Sequence, residues 1–265
     1  MAKISCNVIS YILKRTVDID VILPTPTIPE ALGMSDVKPS HVKPAKHPVV
    51  YLLHGFGNNQ KQICGYTNVE AFCEERQIAA VMIAAENKSY VNFSEHDLFY
   101  DFIEKELPEF ITNTFPISDR KEDTYIAGLS MGGYGATLHG LSNPDRYNAI
   151  GAFSAAFNLN PYTIGSGNIT NDTEIKEEMD LLEITNKLLE AKKQFPKMYI
   201  ACGTNDFLYD VNKNYVNNLV KQGIDVTFKE VEGYAHEWRF WNICFEKFLD
   251  WIPRTDYYAD KIRSI

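Results

Sequence analysis

Five short runs of the chain are apolar at almost every position. They are VVYLL (from Val49), IAAVMIA (from Ile78), DTYIAGL (from Asp123), YNAIGAFSA (from Tyr147) and KMYIACG (from Lys197). A strand covered on both faces has this pattern, whereas a half-exposed strand alternates. Between and after these runs the apolar period lengthens. In TNVEAFCEERQ, Thr67 and Glu70 have the spacing of a capping box at a helix start. HDLFYDFIEKELPEFITNTF puts Leu98, Phe102 and Ile103 at helical steps, with Pro108 as a kink. GGYGATLHGLSN predicts a helix after the third run. NKNYVNNLVKQG places Tyr215, Val216, Leu219 and Val220 on one helical face with Gly223 as its stop. DVTFKEV reads as a further strand. In EWRFWNICFEKFLDWI, Trp238, Trp241, Phe245, Phe248 and Ile252 form one apolar stripe. Strands that alternate with helices predict an α/β fold, a mostly parallel sheet with helices on both faces. Two early strands, CNVISYIL and VDIDVIL, have no helix between them and predict an antiparallel edge.

Two stretches interrupt the alternation. The segment from Pro24 to Pro48 holds six of the twelve prolines and reads as a long surface connection. The segment 158–196 lies between the fourth and fifth apolar runs and carries the polar GSGNITNDTE. It predicts an insertion that covers the site as a lid. At 265 residues the chain is read as a single domain, 1–265, with a C-terminal tail over 253–265.

Charge and composition narrow the classes. A net charge of −9 argues against a nucleic-acid partner, whose phosphates call for Lys and Arg. No apolar run is long enough to span a bilayer, so no membrane partner is expected. The first residues lack the basic, apolar, small order of a signal peptide. Five cysteines without a CxxC pair indicate neither a disulfide framework nor a zinc site. Free thiols fit a cytoplasmic protein, and no metal is expected.

The chemistry starts in IAGLSMGGYGA. Gly128-Leu129-Ser130-Met131-Gly132 fits G-x-S-x-G between a predicted strand and a predicted helix. A sharp turn there exposes the serine hydroxyl, and the glycines permit close backbone approach. A serine hydroxyl is a weak nucleophile at neutral pH and needs a base. Of the six histidines, His236 is the one that follows a strand at the sheet's carboxyl edge, just before the last helix. His41 and His47 lie in the Pro-rich connection. His96 precedes a helix, and His139 sits on one. The base needs a carboxylate. Asp206 and Asp210 both follow the fifth run, and Asp206 is nearer the strand end. The chain order Ser130, Asp206, His236 is the order used by hydrolase sheets of this type.

Acyl transfer builds negative charge on the carbonyl oxygen, which two backbone N–H groups should meet. Met131, at the start of the helix after Ser130, supplies one. Phe56, presented by the His54-Gly55 turn in LLHGFGNN, supplies the other. His54 itself reads as structural. Phe56, Phe157, Phe207 and Trp238 stand next to catalytic positions and are candidate substrate-binding walls.

The motifs VVYLLHGFGNN, TNVEAF, YIAGLSMGGYGA, CGTNDFLY and AHEW resemble an esterase family of α/β-hydrolases that includes bacterial tributyrin esterases. Feruloyl, cinnamoyl and acetyl-xylan esterases and S-formylglutathione hydrolases are more distant relatives. The resemblance runs from about Asn7 to Ile252. It implies the α/β-hydrolase fold, no cofactor, and hydrolysis of small-molecule short-chain acyl esters. It places the triad on Ser130, Asp206 and His236 and the oxyanion hole on Phe56 and Met131. Some members form homo-oligomers. The stretches Thr25–Pro48 and Pro253–Ile265 depart from the family pattern. The aromatic walls leave acetyl, butyryl and feruloyl esters open. Acyl transfer to an alcohol or sugar would use the same triad, and a non-catalytic binding role for the fold is the remaining alternative.

Overall fold

Among the described residues, eight strands form one sheet in the order β1-β2-β4-β3-β5-β6-β7-β8. The computed structural model describes residues 1–158, 160 and 176–265. The five apolar runs are β3 (Val49–Leu53), β4 (Ala79–Ile83), β5 (Thr124–Leu129), β6 (Ala149–Phe153) and β7 (Lys197–Gly203). Together with β8 (Val226–Val231) they pair in parallel. β1 (Ala2–Ile9) and β2 (Thr16–Leu23) form the expected antiparallel edge, with β2 antiparallel to β4. β1 alternates half-buried and exposed positions, as an edge strand covered on one face must.

Alternation along the strands divides the core in two. Tyr51, Leu53, Ile126, Ile150 and Ile200 face the helices Met131–Ser142, Leu181–Glu190 and Tyr209–Lys221. Val50, Leu52, Tyr125, Leu129 and Phe153 face the helices Gln60–Tyr66, Val69–Arg76 and Trp238–Trp251. The predicted stripe of the last helix packs here: Trp241, Phe245 and Phe248 are buried, and Ile252 is buried just beyond the helix end. Among the described residues no helix is long and apolar enough to cross a membrane.

Several local expectations need correction. The first strand ends at Ile9, and Ser10 to Arg15 form the hairpin loop, with Lys14 at φ 56°. Glu106 holds that loop by accepting from the Ser10 hydroxyl and the Tyr11 and Ile12 N–H groups. The Thr67/Glu70 capping box does not form. The Thr67 hydroxyl donates back to Ile63 O, and Glu70 pairs with Lys3. The helix before it, Gln60–Tyr66, was not predicted; Asn59 and Gln62 give it a capping box. Pro108 is absorbed by a π-helical segment, Phe102–Glu106, in which Leu107 N–H bonds Phe102 O. One extra residue in that turn accommodates a proline that cannot donate. Val220 is 56% exposed, so only Tyr215, Val216 and Leu219 of the predicted face are buried. Gly223 does end that helix, at φ +81°.

The lid expected over 158–196 falls partly on residues 159 and 161–175, outside the described residues. The described remainder includes the helix Leu181–Glu190, whose Leu181 and Ile184 are buried against the first core half. The Tyr134 hydroxyl donates to Met179 O just before that helix.

The Pro-rich connection is more than a surface strap. It carries a capped turn of helix, Ile28–Ala31, and a fully buried His47. The tail packs on it: the Tyr258 ring stacks on His47 at 4.5 Å, its hydroxyl donates to Ala45 O, and Arg263 pairs with Glu30. His47 Nδ1 donates to Gln77 O, while the buried Nε2 has no partner among the described residues. Burial pushes its imidazole down to about 4, outweighing the hydrogen bond to Gln77. The unfolded chain therefore takes up this proton near pH 6.5 and the folded chain only near 4. The neutral form's stabilisation is complete above pH 6.5 and is lost as pH falls towards 4, on the order of 3 kcal/mol in all. Urea unfolding measured from pH 7 to pH 4 will show this decline, and His47→Gln will make it shallower by about that amount, the rest coming from other buried groups such as His54.

Candidate active site

The strands β3, β5, β6, β7 and β8 are parallel, so their carboxyl ends and the loops that follow them share one edge of the sheet. Ser130 leaves the end of β5, near the middle of the sheet. Its backbone is at φ 53°, ψ −116°, a region that residues with a side chain rarely adopt. Its N–H donates to Phe153 O, and its carbonyl accepts from the N–H groups of Gly133, Tyr134 and Ala156. These four bonds hold the strained turn.

The flanking glycines are needed for contact distance, since the positive φ belongs to the serine itself. A Cβ on Gly128 would sit 2.2 Å from Gly132 O, and one on Gly132 would sit 2.1 Å from Leu53 O. The start of the helix Met131–Ser142 therefore presses against the end of β3. Gly55 closes the same contact from the other side, where a Cβ would lie 2.7 Å from Leu129 Cδ1 and 3.3 Å from Ser130 Cβ. The HGFG turn itself is made by Gly57, at φ +76°, and not by Gly55 as the sequence suggested.

His54 fixes this loop as a neutral ring. Nδ1 donates to Gly55 O at 2.8 Å and Nε2 accepts the Ala85 N–H at 3.1 Å. Burial pushes its imidazole down to about 4. The Tyr90 hydroxyl donates to His54 O. The structural reading of His54 is correct. Among the described residues neither the Phe56 N–H nor the Met131 N–H has an acceptor. Met131 is the first residue of its helix, where N–H groups have no partner within the helix.

The three predicted side chains converge although they are far apart in sequence. His236 Nε2 lies 3.0 Å from Ser130 Oγ. His236 Nδ1 lies 3.0 Å from Asp206 Oδ2 and 3.2 Å from Oδ1. Burial pushes the Asp206 carboxyl up, but hydrogen bonds from His236, Ser154 and the Leu208 N–H outweigh it and hold the group below its usual range. An ionised Asp206 requires the proton on Nδ1, which leaves Nε2 free to accept from the serine hydroxyl. Asp210 is exposed in the first turn of the helix Tyr209–Lys221 and takes no part. His139 is buried beside Glu104, and His96 is exposed.

The four aromatic candidates separate into two kinds. Phe207 is 75% exposed, with its ring 4.7 Å from that of His236, and Phe56 is 48% exposed on the HGFG loop. Phe157 is stacked on Tyr215, and Trp238 lies between Tyr66 and Trp241. The indole of Trp241 packs edge-on against His236. Sequence reasoning placed Trp241 only in a packing stripe and did not single out Ser154 at all. No spacing rule points to a serine one residue beyond β6. Among the described residues no cluster of side chains suited to a metal ion occurs.

The turn's strain and close contacts make opposite predictions for two substitutions. Ser130→Gly will raise the free energy of unfolding by about 1 kcal/mol, because it relieves the backbone strain. Gly132→Ala will lower it by about 3 kcal/mol, because its methyl group meets a carbonyl oxygen that cannot retreat. Urea titrations of the two variants against the wild type will measure both.

Comparison with known proteins agrees with this geometry. The family described as "Putative esterase" matches residues 36–252. An acetyl esterase of Caldicellulosiruptor saccharolyticus is 32% identical over 274 aligned positions, covering 96% of this chain and 99% of that protein. Among solved structures, a fluorophosphonate-binding serine hydrolase of Staphylococcus aureus is 28% identical with a TM-score of 0.81, covering 95% of this chain and 98% of that one. An S-formylglutathione hydrolase of the same organism is also 28% identical, with a TM-score of 0.79 and coverage of 95% and 98%. A ferulic acid esterase of Anaeromyces mucronatus is 20% identical with a TM-score of 0.68, covering 97% of this chain and 91% of that one, a likeness of fold. With the family matched over most of its length, the chain belongs to this esterase family and is a carboxylic ester hydrolase of the serine type with the α/β-hydrolase fold.

Proposed function

We propose that Ser130, His236 and Asp206 are the catalytic triad of this esterase, and that its substrates are small-molecule esters of short acyl chains. One observation carries the assignment: the His236 ring bridges Ser130 Oγ and the Asp206 carboxylate with a nitrogen about 3 Å from each. The short-chain reading is supported by the acetyl esterase among its relatives and by the S-formylglutathione hydrolase among its structural neighbours.

In this reading Ser130 Oγ attacks the ester carbonyl while its proton passes to His236 Nε2. The imidazolium that results is stabilised by Asp206 through Nδ1–H. The N–H groups of Phe56 and Met131 receive the negative charge on the carbonyl oxygen. They lie on the two loops that Gly55 and Gly132 press together, and the Met131 N–H also sits at the positive end of a helix dipole. Collapse of the tetrahedral intermediate expels the alcohol, which takes the proton from Nε2 and leaves an acyl-serine. Water, deprotonated by His236, then repeats the sequence and releases the acid. No step calls for a cofactor.

Phe207 and Phe56, exposed beside the triad, act as walls for the ester. Phe157 and Trp238 frame the site from within its packing. A single catalytic domain and a cytoplasmic location complete the reading. The location is supported by five free cysteines, of which Cys73, Cys202 and Cys244 are buried.

Steady-state hydrolysis of p-nitrophenyl esters from acetate to octanoate tests the proposal. Acetate to butyrate will give the highest kcat/KM. Ser130→Ala, His236→Ala and Asp206→Asn will each lose about 10⁴-fold in kcat while the protein stays folded. Near-wild-type turnover in any of the three would remove that residue from the triad.

A further inference from the structure

We propose that Tyr90 and Asn87, on the segment that follows β4, are positioning residues for the oxyanion loop. The proposal rests on the oxyanion hole assigned above to the Phe56 and Met131 amides.

The Phe56 N–H belongs to the Gly55–Phe56 peptide. In a planar trans peptide the carbonyl and the amide hydrogen point in opposite directions. His54 Nδ1 holds Gly55 O, so the Phe56 N–H is aimed the other way. That aim is only as firm as the peptides on either side, and each is held by a side chain of the segment Ala85–Tyr90. The Tyr90 hydroxyl donates to His54 O at 2.7 Å, and the Gly57 N–H donates to Asn87 Oδ1 at 2.7 Å. The Ala85 N–H of the same segment donates to His54 Nε2 and fixes the tautomer of that ring.

The segment is bent to make these bonds. Glu86, Ser89 and Tyr90 stand at φ 51°, 51° and 63°. Left-handed backbone is rare for a residue as large as tyrosine and persists only where the surroundings fix it. Tyr90 is fully buried, and burial pushes its phenol well up, so the hydroxyl stays a donor. A phenylalanine would fill the same space, so packing of the ring does not account for the hydroxyl.

The helix Met131–Ser142 fixes Tyr90 from the other side. A Cβ on Gly135 would lie 2.5 Å from Tyr90 Cδ2, so the ring lies directly on that helix. One turn further along, His139 Nε2 is 2.9 Å from Tyr90 O. A carbonyl oxygen can only accept, so Nε2 carries a proton. His139 Nδ1 meets Glu104 Oε1 at 2.5 Å, and the Tyr147 hydroxyl donates to the same oxygen. The imidazole is fully buried and stacks on Tyr100 at 4.6 Å. Held at both nitrogens and on one face, it cannot turn away from Tyr90. Tyr90 therefore spans the two segments that carry the proposed amides, the helix that begins with Met131 and the loop that presents Phe56. It acts as a strut that sets their separation.

Tyr90→Phe and Asn87→Ala test this, with Tyr125→Phe and Phe56→Pro as references. The Tyr125 hydroxyl also donates to backbone carbonyls, those of Glu122 and Pro253, but at the amino end of β5, away from Ser130. Turnover of p-nitrophenyl acetate is read per active site, counted by fluorophosphonate titration, together with inhibition by propyl trifluoromethyl ketone. In the ketone adduct Ser130 Oγ bonds the carbonyl carbon, the serine proton moves to His236, and the negative oxygen lies in the hole. Tyr90→Phe will lower kcat about 10-fold with little change in KM, less than the ~10²–10³-fold cost of losing a donor outright. It will weaken ketone binding by a similar factor and leave the pH profile in place, since the triad is untouched. Asn87→Ala will lose about 3-fold in both, because water reaches the freed Gly57 N–H. Tyr125→Phe will keep wild-type kcat and ketone affinity even where it unfolds more readily. Wild-type kcat and ketone affinity in Tyr90→Phe would overturn the proposal and leave the hydroxyl a role in stability alone. Should Tyr90→Phe fail to fold, wild-type kcat and ketone affinity in Asn87→Ala would overturn it instead. Phe56→Pro deletes the amide hydrogen itself. If that variant is crippled while Tyr90→Phe is not, only the positioning claim falls; if it keeps wild-type kcat, the oxyanion assignment has failed.

Discussion

The site depends on one backbone contact, the meeting of the β5 turn with the end of β3. Ser130 occupies a strained conformation there because the chain must reverse from strand to helix within one residue. The reversal is possible only if the helix start can touch Leu53 O, and that requires a glycine at 132. Gly128 lets the turn fold over itself, and Gly55 lets the HGFG loop lie against Ser130. Had any of these three a side chain, the serine and the Phe56 and Met131 amides would be driven apart. The strain is local, and the four hydrogen bonds around Ser130 offset it.

The remaining parts of the site follow from parallel pairing. Parallel strands deliver their carboxyl ends to the same edge, so residues as distant as 130, 206 and 236 meet without further design. Electrostatics then sets the working state. His54 is buried and neutral, which suits a ring that donates to one backbone group and accepts from another. His236 is partly exposed and faces a buried carboxylate, which suits the role of base proposed for it. Two histidines of the same chain thus differ in role through burial and partner alone.

The sheet was legible because strands buried on both faces leave uninterrupted apolar runs. The meeting of Ser130, Asp206 and His236 was legible because a strand-end serine, carboxylate and histidine occur in one chain order. Other features left no such trace. The Thr67/Glu70 spacing fits a capping box, yet Thr67 bonds backward to Ile63 O and closes the preceding helix, which leaves Asn68 at the start of the next. Val220 matched the helical period and still faces solvent, since the sheet covers a narrower arc of that helix than the period allows. Gly55 and Gly57 look alike in HGFG, and only their surroundings show which makes the turn and which the contact. Ser154 is a single serine in FSA, and nothing in its spacing separates it from any other.

The most direct test of the central claim is covalent capture of the nucleophile. Wild-type protein treated with a fluorophosphonate, digested and sequenced by tandem mass spectrometry will carry one adduct per chain, on Ser130 within IAGLSMGGYGA. An adduct on another residue, or an unmodified Ser130 in fully folded protein, would contradict the account.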